Sequence, residues 1–151
     1  MNGTRRLVWG TTVVTVSIAL SVAAMTATEA IKERHEAMEG IKDEMMVLGA
    51  MVKKEQPFDA EVVQSSAAKI ADHLARATEL FPEGSDTGDV ETFAKPEIWT
   101  ERAKFDEIME RTRQAAVAMQ SVTSADEFPP ALGALGNGCK SCHDLFRKPK
   151  K

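Results

Sequence analysis

A chain of 151 residues is long enough for one domain with its own core, and its share of apolar (43%) and charged (28%) residues gives no reason to read it as disordered. A formal net charge of −4 argues against a nucleic-acid binder. Glycine and proline are sparse and tyrosine is absent, while the long middle is rich in Ala, Met, Glu, Lys and Arg without alternating β-branched runs, which excludes a sheet protein and points to an all-α one.

The opening segment, "MNGTRRLVWGTTVVTVSIALSVAAMTATEA", differs from everything after it. Arg5 and Arg6 precede an uncharged run of 19 residues from Leu7 to Met25, and the small residues Val22, Ala23 and Ala24 supply a cleavage point. Residues 1–24 therefore read as an export signal that is cleaved, which leaves residues 25–151 as the mature domain. An uncleaved membrane anchor is the alternative, because the run is about the minimum length for a span, but its many Thr, Ser and Gly residues make it weakly apolar. Cleavage after Ala24 removes two arginines and moves the formal net charge from −4 to −6.

Four amphipathic segments follow. The first, about 28 to 54, places Ile31, Met38, Met45 and Val52 seven apart with Ile41 and Leu48 between them, one inward stripe of a bundle helix. "EQPFDAE" breaks it. The second runs from about Asp59, a candidate N-cap, to Phe81 and carries Val63, Ala67, Ile70, Leu74 and Ala77. "FPEGSDTGDVETFAK" is the longest loop, and Pro96 suits the first turn of a third helix with Trp99, Phe105, Met109, Ala116 and Met119 as its stripe. In "TSADEFPP", Ser124 and Glu127 have the spacing of a capping box. The fourth helix then runs to about Lys148 with Leu132, Leu135, Cys139, Cys142 and Phe146 on one face. Four such helices joined mostly by short loops predict an antiparallel, up-down-up-down four-helix bundle.

The fourth helix carries "GNGCKSCHDLFRK", which holds the only two cysteines of the chain, Cys139 and Cys142, followed directly by His143. In an exported protein two thiols would ordinarily form a disulfide, but cysteines three apart on a helix make a poor bridge. A thioredoxin-like pair would want a βαβ setting, and a zinc site would want more ligands than His35 and His73 can add. Covalent haem attachment explains every position of C-x-x-C-H. Each thiol adds to one vinyl group, and the adjacent imidazole swings under the iron as an axial ligand. A chance match on a purely structural bundle is the plain alternative.

Topology says where the opposite ligand must come from. In an up-down-up-down bundle the start of the first helix lies level with the end of the fourth, and the two are neighbours. Among the inward residues there, Ile31, Met38 and Ile41, only Met38 has a ligating atom, and a thioether suits haem iron. Methionine also fills cores, and Met45, Met46 and Met51 lie on the same helix.

The late C-x-x-C-H followed by Arg147, together with "KPEIWTERAKFD" at the third helix and "MMVLGAMVKKEQPFDA" at the end of the first, resembles class II cytochrome c, the cytochrome c′ family. The likeness covers essentially all of the chain after the signal, and is greatest to the low-spin branch, in which a methionine of the first helix ligates iron. That resemblance places Met38 on the ligating position, which in the high-spin cytochromes c′ is usually a non-ligating aliphatic residue that leaves iron open to small gases. It also implies a haem-propionate contact for Arg34, one turn before Met38. Arg147, one turn after His143, would tune the ligand or meet a propionate, or else serve as a solvated cation at the helix end. His35 and His73 read as surface residues, and Trp99 and Phe105 as core with an edge on the haem.

The reading is thus a periplasmic monohaem cytochrome with one covalent haem c, held by Cys139 and Cys142 and ligated by His143 and Met38. It carries one electron between redox partner proteins as a monomer or homodimer, with no substrate turnover, no nucleic acid and no membrane contact unless the N-terminal segment is retained. The basic tail "RKPKK" would steer an acidic partner or simply be solvated. The competing function is capture of nitric oxide or carbon monoxide at an open iron site.

Overall fold

The computed structural model describes residues 25–149; the segment read as an export signal and the last two lysines lie outside the described residues. The chain forms an all-α, up-down-up-down four-helix bundle. Its helices are α1 (Ala27–Val52), α2 (Ala60–Glu79), the single turn α3 (Glu97–Thr100), α4 (Arg102–Met119) and α5 (Phe128–Phe146). Among the described residues no helix is long and apolar enough to cross a membrane.

Two of the long helices, α1 and α2, start at a side-chain cap. At α1, Thr26 and Glu29 form a reciprocal capping box. Asp59 caps α2 by accepting from the N–H groups of Glu61 and Val62, as its position predicts. Ser124 and Glu127 also bond reciprocally, but their box closes a turn ahead of α5, and the helix begins only at Phe128, with proline in its first turn.

The expected stripe of α2 is wholly buried: Val63, Ala67, Ile70, Leu74 and Ala77. That of α1 needs a correction. Ile31, Ile41 and Leu48 are buried as expected, but Val52 is 42% exposed and Met51 is inside instead. A strict seven-residue repeat drifts by about 20° per heptad around a straight helix. Three heptads after Ile31 the repeat has rotated off the core.

The third segment is not one helix. Glu101, at φ −114° and ψ 39°, breaks it between α3 and α4. Trp99 and Phe105, six positions apart, would stand about 120° apart around a continuous helix. With the break, Phe105 is buried among core residues, while Trp99 packs edge-on to Phe81 and donates its Nε1–H to the Pro82 carbonyl at 2.9 Å. Phe105 stacks edge-on with Phe81 (4.8 Å) and with Phe146 (5.4 Å), tying loop, α4 and α5 together.

α1 packs on α2, α2 on α4 and α4 on α5. Two glycines set the closeness. A Cβ on Gly40 would fall 2.5 Å from Nε2 of His73, and one on Gly138 would fall 2.6 Å from Oγ1 of Thr112. His73 is therefore half-buried between α1 and α2 rather than a surface residue. α1 and α5 do not pack on one another in this way; they face each other across a cavity.

Candidate functional site

The cavity measures about 580 Å³, within the range of about 300–1,000 Å³ usual for small-molecule and cofactor sites. Its α5 wall carries Cys139, Cys142, His143 and Phe146, and its α1 wall carries Arg34, His35, Met38, Ile41 and Met45. Met109 and Thr112 of α4, Phe81, Ile98, and Thr92, Phe93 and Ala94 of the long loop also line it. Every residue singled out from the sequence as a ligand or an anchor thus reaches one chamber. Trp99 and Phe105 do not line it; Phe81 and Ile98 stand there in their place.

Both cysteines are free and half-buried, and Sγ of Cys142 lies 4.0 Å from the Met109 sulfur. Burial raises the pKa of the Cys139 thiol and, with Cys139 nearby, pushes that of Cys142 up to about 11. The pair stands protonated at neutral pH. In the finished protein these sulfur atoms would be thioethers, for which an apolar wall is no penalty. Burial also lowers the pKa of His143, and the Arg147 guanidinium lowers it further, against a smaller opposing effect of Asp144. The imidazole is therefore neutral at physiological pH and offers a lone pair to a metal. Nη1 of Arg147 lies 3.5 Å from its Nδ1.

Arg34 is only 4% exposed and forms no ion pair among the described residues. It donates to Oγ and to the carbonyl oxygen of Ser85, at 3.2 and 2.6 Å, and its guanidinium lies over Phe81 at 4.6 Å. Burial pulls its pKa down to about 10, opposed in part by the charge of Asp86. A buried cation with no ion pair of its own is costly unless an anion arrives in the cavity.

The α1 wall is richer than its sequence periodicity implies. His35, exposed and stacked on Phe93 at 6.2 Å, stands on the rim, and Met45 lines the chamber too, so Met38 is not the only side chain with a ligating atom on this wall. The sequence does carry signals for two residues it left unremarked, Thr112 and Gly138, which meet where α4 and α5 pack. Thr112 is a mid-helix threonine that bonds the carbonyl four residues before it, at 2.7 Å, and Gly138 directly precedes the first cysteine.

These donors suit a haem: two thiols and a neutral imidazole along one wall, a thioether opposite, apolar surroundings, and a buried cation where carboxylates would be welcome. The comparisons with known proteins agree. The profile of the family described as cytochrome c′ matches residues 29–147. A cytochrome c′ of Rhodopseudomonas palustris (strain ATCC BAA-98 / CGA009) is 40% identical over 129 residues, covering 84% of this chain and 87% of the relative. A cytochrome c-554 of Cereibacter sphaeroides is 37% identical over 123 residues, 78% of this chain and 92% of that protein. The solved structure of cytochrome c′ from Rhodopseudomonas palustris superposes with a TM-score of 0.77 at 36% identity, over 81% of this chain and 98% of that one.

Proposed function

Because the chain belongs to the cytochrome c′ family and carries one covalently attached haem c, we propose that it is an exported, periplasmic one-electron carrier whose haem is six-coordinate. Cys139 and Cys142 anchor the haem, and His143 and Met38 ligate its iron. When bound, the haem supplies the one-electron couple. The protein's part is to hold both axial groups, exclude water and set the potential.

The observation that carries this reading is that Met38 and His143 line one cavity from opposite walls, with both cysteines on the histidine's side. Met45 lies about 10 Å further along α1, so one iron cannot meet both methionines at the same level. His35 is exposed on the rim and engaged with Phe93, which favours Met38 as the inward group. Arg34 would take up a propionate from its buried position, and Arg147 would temper the basicity of His143. The carrier would exchange electrons with partner proteins as a monomer or homodimer.

One spectrum tests the reading. The ferrous protein should show the sharp split bands of a low-spin haem and take up carbon monoxide slowly or not at all near neutral pH. Met38→Ala should open the iron, turn it high-spin and lower the reduction potential, since methionine ligation raises it. A wild-type protein that is already high-spin and binds carbon monoxide readily would move the function to gas capture and leave Cys139, Cys142 and His143 in place.

A further inference from the structure

A helix leaves its last four carbonyls without intrahelical partners. In α5 these belong to His143, Asp144, Leu145 and Phe146. The Arg147 N–H donates to the carbonyl of His143 at 3.1 Å. The other three are taken by one residue of the long loop: Nζ of Lys95 donates to the carbonyls of Asp144 (3.3 Å) and Leu145 (3.0 Å), and its backbone N–H donates to that of Phe146 (2.9 Å).

The contact extends on both sides of Lys95. Ala94 and Arg147 form an antiparallel bridge, the Lys148 N–H donates to the Phe93 carbonyl at 2.7 Å, and Nζ of Lys148 donates to that of Thr92 at 3.3 Å. This pairing holds Arg147 extended, at φ −110° and ψ 131°, with its guanidinium beside His143. α5 has no glycine after its end to cap it by a left-handed turn, and His143 is the only basic residue of its last turn. Besides Arg147 at the C-cap, this helix end thus receives a second cation, Lys95, from elsewhere in the chain, directly on its free carbonyls.

We propose that Lys95 is the positioning residue for the axial histidine: it closes the last turn of the haem-bearing helix and thereby fixes the plane of the His143 ring and the place of Arg147 against it. The inference rests on His143 ligating iron and is independent of which group faces it across the cavity. Lys95 touches no haem atom in this account. It acts through the backbone of residues 144–147.

The test uses the haem-loaded protein. In Lys95→Met the backbone bond to Phe146 survives and both ammonium bonds go. The amides of the last α5 turn should then exchange with solvent about tenfold faster or more, and the haem-methyl hyperfine shifts of the ferric protein, whose order reports the plane of the axial imidazole, should be reordered. Lys95→Arg should restore both, and Lys69→Met, which removes an exposed pairing with Glu44 elsewhere, should leave both alone. If Lys95→Met yields no loaded protein, Lys95→Gln keeps a donor and gives the same two readouts with a smaller displacement. Faster exchange with an unchanged hyperfine pattern would reduce Lys95 to a helix cap and overturn the proposal, as would unchanged exchange. A high-spin wild type would overturn the Met38 assignment but not this one.

Discussion

Gly138 of α5 lies so close to Thr112 of α4 that a Cβ on the glycine would fall 2.6 Å from the threonine Oγ1, 3.0 Å from its Cγ2 and 3.1 Å from its Cβ. The threonine cannot easily give way. It is buried, and its hydroxyl donates to the Ile108 carbonyl at 2.7 Å. This glycine immediately precedes Cys139, so the approach of α5 to α4 also sets the depth at which the first cysteine enters the cavity wall.

Gly138→Ala should therefore destabilise the fold. Overpacking costs about 1–3 kcal/mol and the gain in helix propensity returns about 1, for a net loss of about 1 kcal/mol. Gly133→Ala, where a Cβ meets nothing within 4 Å, should instead gain about 0.5–1 kcal/mol. Denaturant midpoints of the two variants check the pair, and equal shifts would contradict the close packing.

If Cys139 and Cys142 anchor the haem as proposed, removing both should leave a chamber of about 580 Å³ unfilled in the bundle. Wild-type protein, made in a host that attaches haem, should keep its haem through acid-acetone extraction and gain the mass of one haem. Cys139→Ala combined with Cys142→Ala should yield little stable loaded protein, and its melting temperature should fall by about 10 °C or more. A double variant as stable as the parent would favour a bundle for which the C-x-x-C-H motif is incidental.

Lys54 ends α1 in the left-handed region, at φ 61°, with the Glu55 N–H donating to the Ala50 carbonyl and the Lys54 N–H to that of Met51. This is the bonding pattern of a Schellman turn, in which glycine is the favoured occupant. Lys54→Gly should stabilise the protein by about 1 kcal/mol, the lower end of what a left-handed L-residue costs. Thermal melting that moves up by roughly 3 °C would agree; melting that moves down would mean the lysine side chain contributes more than its backbone costs.

Much of the architecture was legible because it is written in periodicity and local chemistry. The stripe of α2, the Asp59 cap and the C-x-x-C-H motif each depend on residues within a turn or two of one another. Chemistry that close in sequence survives without knowledge of the fold. The stripe of α1 was readable as far as Leu48 and failed at its end, since the drift that turns Val52 outward accumulates along the helix. The break at Glu101 was not readable, because a helix-forming run gives no local sign that Trp99 and Phe105 must both face inward.

The sequence by itself determined the class, the count of long helices, the attachment motif and the end of the bundle at which Met38 and His143 stand. Helix propensity, hydrophobic period and motif spacing are short-range properties of the chain. What only the tertiary structure decided is how distant segments meet. The burial of Arg34 on Ser85, the seat of His35 on the rim, the fit of Gly138 against Thr112 and the closure of α5 by Lys95 each join residues from different elements. Such contacts depend on how four helices and one long loop are placed in space. A pattern with a period of three or four residues carries no record of that placement.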